Sequence, residues 1–469
     1  MRTHFGRSGG RFLLHTGLGL ALFLLFAPEL ACAPQKSQQL GKLGRLGPET
    51  LVSVNQDGGA LRCEPSAAVS GDNTVVAWND SWGGRHSSSV GVAVAWAISR
   101  DAGKSFRFGG YLPAASQDQV PSGADSWVVA DAQGNFYLQV LSWQPNLMTI
   151  YVYFMDRGDL GNWQRVSKAA EVNTAGGAFL DKPALIVDDA GRLSLVFTSG
   201  KPGSKKAIAF VSSEDRGRTW SEPLAVSADS DVAKLGVSVA RIGEQVMAAW
   251  VEGDGLKSPA QIMYALSRDG GKNFGDPKLL FQQSKMLGSI PGYVFGFSDQ
   301  ARASLPNAVW LAAARGVGGK AHFSLAIQDR TDAGLRILIF EWPAESEAWS
   351  SPIEISPEAG KSAAFFPSLA AAGNRIAALY YYRPKGLENG ITDVYLTLVT
   401  PQKGLFHTKL SSAASDWTTV SGDKQFAPVQ RNFGDYITLA ASGKRFVAVW
   451  TDGRNAQPRI YCRRFDLGD

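Results

Sequence analysis

Short apolar runs alternate with polar, glycine-containing turns along most of the chain. The clearest runs span residues 74–78, 135–140, 151–154, 377–381 and 446–450. They have the length and the β-branched and aromatic content of β-strands, and several end in tryptophan or tyrosine. Many short strands separated by turn signals are typical of sandwiches, barrels and propellers. We therefore expect an all-β protein.

One turn motif recurs and sets the spacing of these strands. Its copies span residues 99–106, 213–220 and 267–274, and all fit Ser-x-Asp-x-Gly-x-x-aromatic. The aspartate can accept backbone N–H bonds within its own turn, the glycine supplies a positive φ, and the aromatic side chain packs back onto the strand. The copies begin 114 and 54 residues apart, so the first interval holds two repeats of about 57 residues, a propeller-type spacing.

Three copies in register resemble the Asp-box, or bacterial neuraminidase repeat, and residues 47–466 resemble the sialidase superfamily of β-propellers. In that family the box is a scaffold turn at the blade periphery, so it implies the fold and not the chemistry. We expect four-stranded antiparallel blades, seven by our parsing, with the six blades of sialidases as the alternative. The last unit is one strand short. Residues 50–55 are expected to supply its outer strand and close the ring.

Composition and charge narrow the picture further. With 469 residues, 45% hydrophobic content, 51 glycines and 13 tryptophans, the chain can bury a large β core. The net charge of +5 is too mild to indicate nucleic-acid binding. We expect one propeller domain over residues 49–469 and a monomer. No cofactor is required by the sequence, and a structural cation is left open.

The N-terminus has the features of a secretory signal over residues 1–32. Arg2, Arg7 and Arg11 precede an apolar run at 12–26 and a small-residue stretch at 30–33. The apolar run is too short for a membrane span. Cleavage before Cys32 would free it for lipid attachment, as in bacterial lipoproteins, whereas Glu29 argues against that signal. Lipoprotein and free secretion both stay open, with residues 33–48 as a linker.

Two cysteines remain in the exported part, Cys63 and Cys462. An even pair in an exported chain predicts one disulfide. Cys462 would lie on the strand next to the N-terminal one, and Cys63 follows that strand closely, so the bond would lock the ring. The alternative is two unpaired thiols.

Carboxylates recur where the inner strand of each unit begins. The stretches are Glu64-Pro65-Ser66, Asp125-Ser126-Trp127, Asp181-Lys182-Pro183 and Gly434-Asp435-Tyr436. Inner strands begin at one end of the central channel, so these side chains are expected to share its mouth. Like charges gathered there raise one another's pKa or recruit a cation.

The second strands of two units add a further pattern, in which a tryptophan is followed by an aspartate and then an arginine. Asp80 with Arg85 and Asp452 with Arg454 carry it. We interpret the two arginines as ligands for a carboxylate or sugar hydroxyls, and the carboxylates as an acid or base. The alternative is that these pairs only hold loops in place.

The resemblance to sialidases is incomplete at the residues that carry catalysis. Family enzymes use three arginines, an early one in an Arg-Ile-Pro-like motif, and a tyrosine nucleophile. Residues 63–66 lack that arginine, and Tyr436 beside Asp435 is the nearest candidate nucleophile. Asp80 and Glu64 complete the candidate catalytic set. Two hypotheses follow: an exported propeller that binds a glycan or polar ligand through Asp125, Trp127, Asp181, Lys182, Asp452, Arg85 and Arg454, or an active sialidase-like glycoside hydrolase.

Overall fold

The computed structural model describes most of the chain after its N-terminal segment. The described residues are 37–39, 44–54, 62–81, 92–112, 123–201, 203, 205–253, 258–290, 293, 305–315, 321–345, 348–357, 363–372, 375–384, 390–400, 404–420 and 434–468. The chain divides into units 1–33 and 34–469, and every described residue belongs to the second. The predicted signal at 1–32, Cys32 and Arg85 lie outside the described residues, so export, lipid attachment and the role of Arg85 stay predictions.

The described residues form short strands and two 3₁₀ turns, Arg157–Asp159 and Ala175–Gly177. No helix among them is long and apolar enough to cross a membrane. The strands are β1 Ser37–Gln39, β2 Gly44–Leu51, β3 Arg62–Ser70, β4 Asn73–Asp80, β5 Ala93–Ser99, β6 Arg107–Tyr111, β7 Gly123–Ala130, β8 Phe136–Gln144, β9 Leu147–Met155, β10 Arg165–Asn173, β11 Phe179–Val187, β12 Leu193–Gly200, β13 Lys206–Ser213, β14 Leu224–Ala225, β15 Lys234–Ile242, β16 Gln245–Glu252, β17 Gln261–Ser267, β18 Lys278–Gln282, β19 Val309–Arg315, β20 Ala321–Thr331, β21 Gly334–Pro343, β22 Ile353–Glu354, β23 Ala363–Ala372, β24 Arg375–Arg383, β25 Ile391–Val399, β26 Leu405–Lys409, β27 Ser415–Asp416, β28 Thr438–Ser442, β29 Arg445–Asp452 and β30 Arg459–Leu467.

These strands form an all-β propeller. Four antiparallel sheets hold β3–β6, β7–β10, β11–β14 and β15–β18, and a fifth holds β28–β30 with β2 as its outer strand. The first strands of successive units pack side by side in chain order, β3 on β7, β7 on β11 and onward to β28, which packs on β3. These inner strands surround the central channel, so side chains from distant parts of the sequence meet there.

The number of blades differs from both predictions. Among the described residues there are five separate four-stranded blades, not seven or six, because the strands of the predicted fifth and sixth units lie in one ten-stranded sheet. A parallel pairing of Leu335 with Ala363 joins their two antiparallel runs. The predicted outer strand at 50–55 is displaced, since β2 spans Gly44–Leu51 and pairs with β30. That β2 closes the ring stays a prediction.

The second strands of the blades, and the third strand of the first blade, are largely buried on both faces, which explains why they form continuous apolar runs in the sequence. In β4 every residue from Thr74 to Asp80 is buried, and β5 is buried throughout. Outer strands are more exposed, as in β18. Each blade therefore packs against two neighbours, and its inner and middle strands are held in register by that packing.

The three Ser-x-Asp-x-Gly turns have the same pattern of hydrogen bonds, formed separately within each turn. In the second copy Ser213 Oγ donates to Asp215 Oδ1 at 2.8 Å, and Gly217 N donates to Ser213 Oγ at 2.8 Å. Asp215 also accepts from the backbone N–H of Arg218 and Thr219. These bonds help hold the pKa of the aspartate in each copy at about 2. The turn is thus a self-contained structural unit.

Replacing Ser213 with alanine should destabilise the protein by roughly 1–3 kcal/mol, because a buried Gly217 N–H loses its acceptor. Urea unfolding of the variant measures this loss. Ser258 is an exposed serine, and its alanine variant is the matched control. Equal stability of the two variants would contradict the proposed role of the turn.

Cys63 and Cys462 are separate buried thiols, so the predicted disulfide is wrong. Cys462 lies in β30 and faces the first box turn, where a Cβ on Gly103 would lie 3.6 Å from its Sγ. Cys63 lies in β3 against Gly434. Burial raises the pKa of Cys462 to about 12 and that of Cys63 well above 9, so both thiols stay protonated at neutral pH.

Candidate functional site

Three carboxylates from separate strand starts meet the ammonium group of Lys182. Its Nζ lies 2.8 Å from Asp125 Oδ1, 3.1 Å from Asp435 Oδ2 and 3.7 Å from Glu64 Oε1. We call Lys182, Glu64, Asp125 and Asp435 the Lys182 cluster. The lysine side chain is 26% exposed, against 2% for Glu64 and 10% for each aspartate. The ammonium is therefore the part of the cluster most open to solvent.

A shared backbone irregularity places these side chains. Glu64, Asp125 and Lys182 have φ values of 56°, 53° and 45°, and each lies at a register shift near the start of its inner strand. Positive φ is unfavourable for residues with a Cβ and persists only where the surroundings enforce it. The bulge interrupts the alternation of the strand and directs consecutive side chains toward the channel.

The charges within the cluster are strongly coupled. Burial alone would lower the pKa of Lys182, but Asp125, Asp435 and Glu64 together raise it well above 10.5, so it stays charged. Burial raises the pKa of Glu64 well above 4.5; Lys182 opposes this shift, and the neighbouring aspartates add to it. Asn79 Nδ2 donates to Glu64 Oε2 at 2.7 Å. Burial thus favours the protonated form of the Glu64 carboxyl.

Asp181 adds a fourth carboxyl next to Lys182 in the chain. It is half-buried, and burial raises its pKa to about 6, with Lys182 opposing the shift and Asp125 and Asp435 adding to it. A carboxyl that titrates near neutral pH can donate or accept a proton under physiological conditions. Of the residues predicted from sequence, Asp181 best combines solvent access with acid–base chemistry.

Aromatic side chains from non-adjacent strands meet beneath the cluster. The Trp127 ring lies 4.8 Å from Trp310 and 5.9 Å from Tyr436, measured between ring centroids. Lys182 Nζ lies 5.7 Å from the Tyr436 centroid. Trp127 and Tyr436 follow Asp125 and Asp435 along the chain, so they lie deeper in the channel. We call Trp127, Trp310 and Tyr436 the aromatic floor.

Tyr436 is held as a neutral phenol. Its hydroxyl donates to the Ser126 carbonyl at 3.2 Å. Burial raises its pKa well above 10, and Glu64 and Asp125 add to the shift. Lys182, whose Nζ lies 5.7 Å from the ring centroid, opposes this shift. Tyr436 is thus a buried neutral phenol packed against Trp127, and its catalytic role stays a prediction.

The residues of the tryptophan–aspartate–arginine pattern form ion pairs with each other or with neighbouring side chains. Asp80 pairs with Arg62, and Asp452 pairs with Arg454. Asp80 accepts from Trp78 Nε1 and Arg62 Nε, both at 3.2 Å. Trp450 Nε1 donates to Asp452 Oδ2 at 2.9 Å.

Arg454 binds Asp452 through Nε and Nη2, and its Nη1 contacts Glu49 and Ser412. Its guanidinium also lies 4.5 Å from the Tyr461 ring centroid. Within the described ranges, no hydrogen bond or ion pair joins Asp80, Asp452 or Arg454 to the Lys182 cluster. The same tryptophan–carboxylate pair recurs in Trp250 and Glu252, where Lys234 is the basic partner. The alternative in which these pairs hold the strand ends is the one that the geometry favours.

Several residues of the site were missed from the sequence. Asn79 and Gln139 lie on second strands opposite the bulges and donate to Glu64 and to the Asp125 carbonyl. Trp310 completes the aromatic floor, and Arg62 neutralises Asp80. The available signal was a polar residue within an otherwise apolar second strand, which Asn79 and Gln139 both show. In the part of the chain that the structure describes, no group of three or more His, Cys, Asp and Glu side chains is arranged to hold a metal ion.

Comparison with known proteins supports the fold. No protein-family model matches the chain. No curated protein sequence matches it. Among solved structures, the α-L-arabinofuranosidase Arb93A from Fusarium graminearum, in complex with an iminosugar inhibitor, has a TM-score of 0.50 at 14% identity, over 77% of this chain and 99% of that chain. At this identity the likeness shows the fold alone.

Two further structures are similar at lower scores. A protein of unknown function from Dyadobacter fermentans has a TM-score of 0.48 at 19% identity, over 75% of this chain and 98% of that chain. The Trypanosoma rangeli sialidase in complex with the inhibitor DANA has a TM-score of 0.43 at 12% identity, over 77% of this chain and 58% of that chain. The class that the fold defines is the β-propeller, which the likeness to the arabinofuranosidase supports.

Proposed function

We propose that this chain is an exported β-propeller that binds a glycan or another polar ligand at the Lys182 cluster. The observation that carries the proposal is the meeting of three carboxylates and one ammonium at the starts of four consecutive inner strands. Buried charges are costly unless they are paired. Backbone strain at three of these positions adds to that cost. Such a combination is typical of binding and catalytic sites rather than of scaffolds.

The aromatic floor supports a sugar as the ligand. Sugars present apolar C–H faces and hydroxyl groups together, and a pocket with aromatic rings beneath polar side chains matches both. The arabinofuranosidase that shares this fold binds an iminosugar inhibitor, and here that supports, by analogy of fold only, a glycan at the same kind of site.

A glycan array probed with the purified protein tests this proposal, followed by calorimetric titration of the strongest hits. Replacing Asp435 with asparagine removes a direct partner of Lys182 and should weaken binding at least about tenfold. Asp229 forms a surface pair with Lys201, so its asparagine variant is the matched control and should bind normally. Array-wide failure to bind, or equal binding by the two folded variants, would refute the proposal.

A glycoside hydrolase is the second candidate, because Asp181 is a half-buried carboxyl with its pKa raised to about 6. As a general acid, Asp181 would act in its protonated form, so turnover should fall as pH rises above about 6. Release of a fluorogenic aglycone from arabinofuranosides, sialosides and other glycosides measures this. Asp181→Asn should abolish the release while leaving ligand binding within a few-fold. Ligand binding without turnover of any glycoside would leave the protein a binding module.

A further inference from the structure

Acceptor groups greatly outnumber donor groups around the Lys182 cluster. Glu64, Asp125, Asp181 and Asp435 present carboxyl oxygens there. The ammonium of Lys182 is the donor that faces them, and it already lies within 3.1 Å of both Asp125 and Asp435. Four carboxyl groups therefore stand against one ammonium. The described part of the site is therefore net negative.

Two buried amide oxygens increase this excess. Asn79 donates its Nδ2 to Glu64, and Gln139 donates its Nε2 to the Asp125 carbonyl. Both side chains are fully buried, and their oxygens, Asn79 Oδ1 and Gln139 Oε1, have no hydrogen-bond partner in the described structure. A buried acceptor without a partner is rare and costs roughly 1–3 kcal/mol. Both oxygens belong to amides that contact the cluster, so they too require hydrogen-bond donors.

The floor of the site sets a second requirement. Trp127 is partly exposed, whereas Trp310 and Tyr436 are 8% and 9% exposed. Trp127 contacts both of the other rings, so it is the member of the aromatic floor that a ligand can reach. A ligand that enters the mouth thus meets an aromatic surface at its base and hydrogen-bond acceptors at its sides.

From this arrangement we propose that the site takes an uncharged, hydroxyl-rich sugar and discriminates against sugars that carry a carboxylate or phosphate. Hydroxyl groups can donate to the carboxylates, and the sugar face can stack on Trp127, the partly exposed ring of the aromatic floor. An anionic group would instead be repelled by the carboxylates. The Lys182 ammonium, which could bind such a group, is already shared between Asp125 and Asp435. This inference rests on the proposed glycan-binding function and specifies its ligand class.

Matched pairs of glycans that differ by one acidic group test the proposal. The probes are lactose and 3′-sialyllactose, methyl galactoside and methyl galacturonide, and methyl glucoside and methyl glucuronide, chosen alongside the array described above. At pH 7 and low salt, the neutral member of each pair that binds should do so at least about tenfold more tightly than the acidic member. High salt should reduce that difference, because the discrimination is electrostatic.

Charge-neutralising variants separate electrostatic from steric exclusion. Asp125→Asn with Asp435→Asn keeps the side-chain shapes and removes two negative charges, so the acidic members should gain affinity relative to the neutral ones. Asp181→Asn is a half-buried single change and should produce a smaller gain in the same direction, which guards against misfolding of the double variant. Thermal unfolding of each variant verifies that it is folded.

The outcomes distinguish this inference from the proposed function. Equal or tighter binding of acidic members by the unaltered protein would overturn the inference and leave glycan binding at this site intact. A preference for neutral members that is unchanged by salt and by the variants would also overturn it. No binding to any neutral or acidic glycan on the array would refute the proposed function itself, and the inference with it.

Discussion

Replacing Lys182 with methionine is expected to destabilise the protein by roughly 3–5 kcal/mol at pH 7, because three largely buried carboxylates lose the ammonium group that they share. Methionine keeps much of the volume of the lysine side chain, so lost packing contributes little. Ligand binding at the mouth should be lost together with stability. Urea unfolding and glycan titration measure the two effects.

The stability deficit of Lys182→Met should shrink as the pH falls from about 7 toward 4.5. The pKa of Glu64 is already raised, and that of Asp181 is about 6. Lys182 lowers both values, so both pKa values should rise further when the ammonium is removed. A carboxyl whose pKa is raised in the folded state favours folding when protonated and loses that contribution as the pH rises through its folded pKa.

Lys201→Met is the matched control for this experiment. Lys201 is half exposed and pairs with Asp229 on the surface, so its replacement should cost less than about 1 kcal/mol at either pH. A Lys182→Met deficit that is small, or that does not depend on pH, would mean that the carboxylates are not compensated by the lysine. The electrostatic account of the site would then be wrong.

Gly434→Ala is the second change with a large expected effect, roughly 3 kcal/mol. Gly434 has a φ of 72°, and a Cβ there would lie 2.4 Å from Glu64 Cγ and 3.0 Å from Glu64 N. The methyl group must displace Glu64 and its backbone, adding overpacking to the cost of a positive φ. Because Glu64 contacts Lys182, ligand affinity should fall as well.

Gly243→Ala separates these two costs. Gly243 has a φ of 60°, and a Cβ there would have nothing within 4 Å, so its replacement should cost only about 1 kcal/mol. Chemical denaturation of both variants measures the difference. Equal losses would show that contact with Glu64 is not what requires glycine at position 434.

The parts of the fold that depend on contacts between residues close in the sequence could be predicted from the sequence. The apolar runs are buried strands, and the Ser-x-Asp-x-Gly turns form from contacts within a few residues of Ser99, Ser213 and Ser267. The number of separate sheets was not predictable in the same way. It depends on a single parallel pairing between Leu335 and Ala363, which arises from the approach of two units in space and leaves no periodic signal.

The candidate site shows the same division between local and non-local information. Sequence placed Glu64, Asp125, Lys182 and Asp435 at the starts of inner strands, and the structure brings them together. Their contacts depend on bulges and positive φ values, which ordinary strand alternation does not indicate. The cysteine prediction failed for a related reason, since the direction of each thiol follows from strand register and not from closeness in the chain.

The sheet that contains β2 pairs strands from distant parts of the sequence, with Thr50 opposite Cys462 and Leu46 opposite Phe465. A pairing across more than four hundred residues cannot form until nearly the whole chain has been synthesised. We therefore expect β2 to stay unpaired until β30 has been synthesised, whereas the intervening blades can form from contacts between strands that are adjacent in the sequence. Removal of β30 would leave both β2 and β29 as open edges, so this sheet should form only once β30 pairs with both.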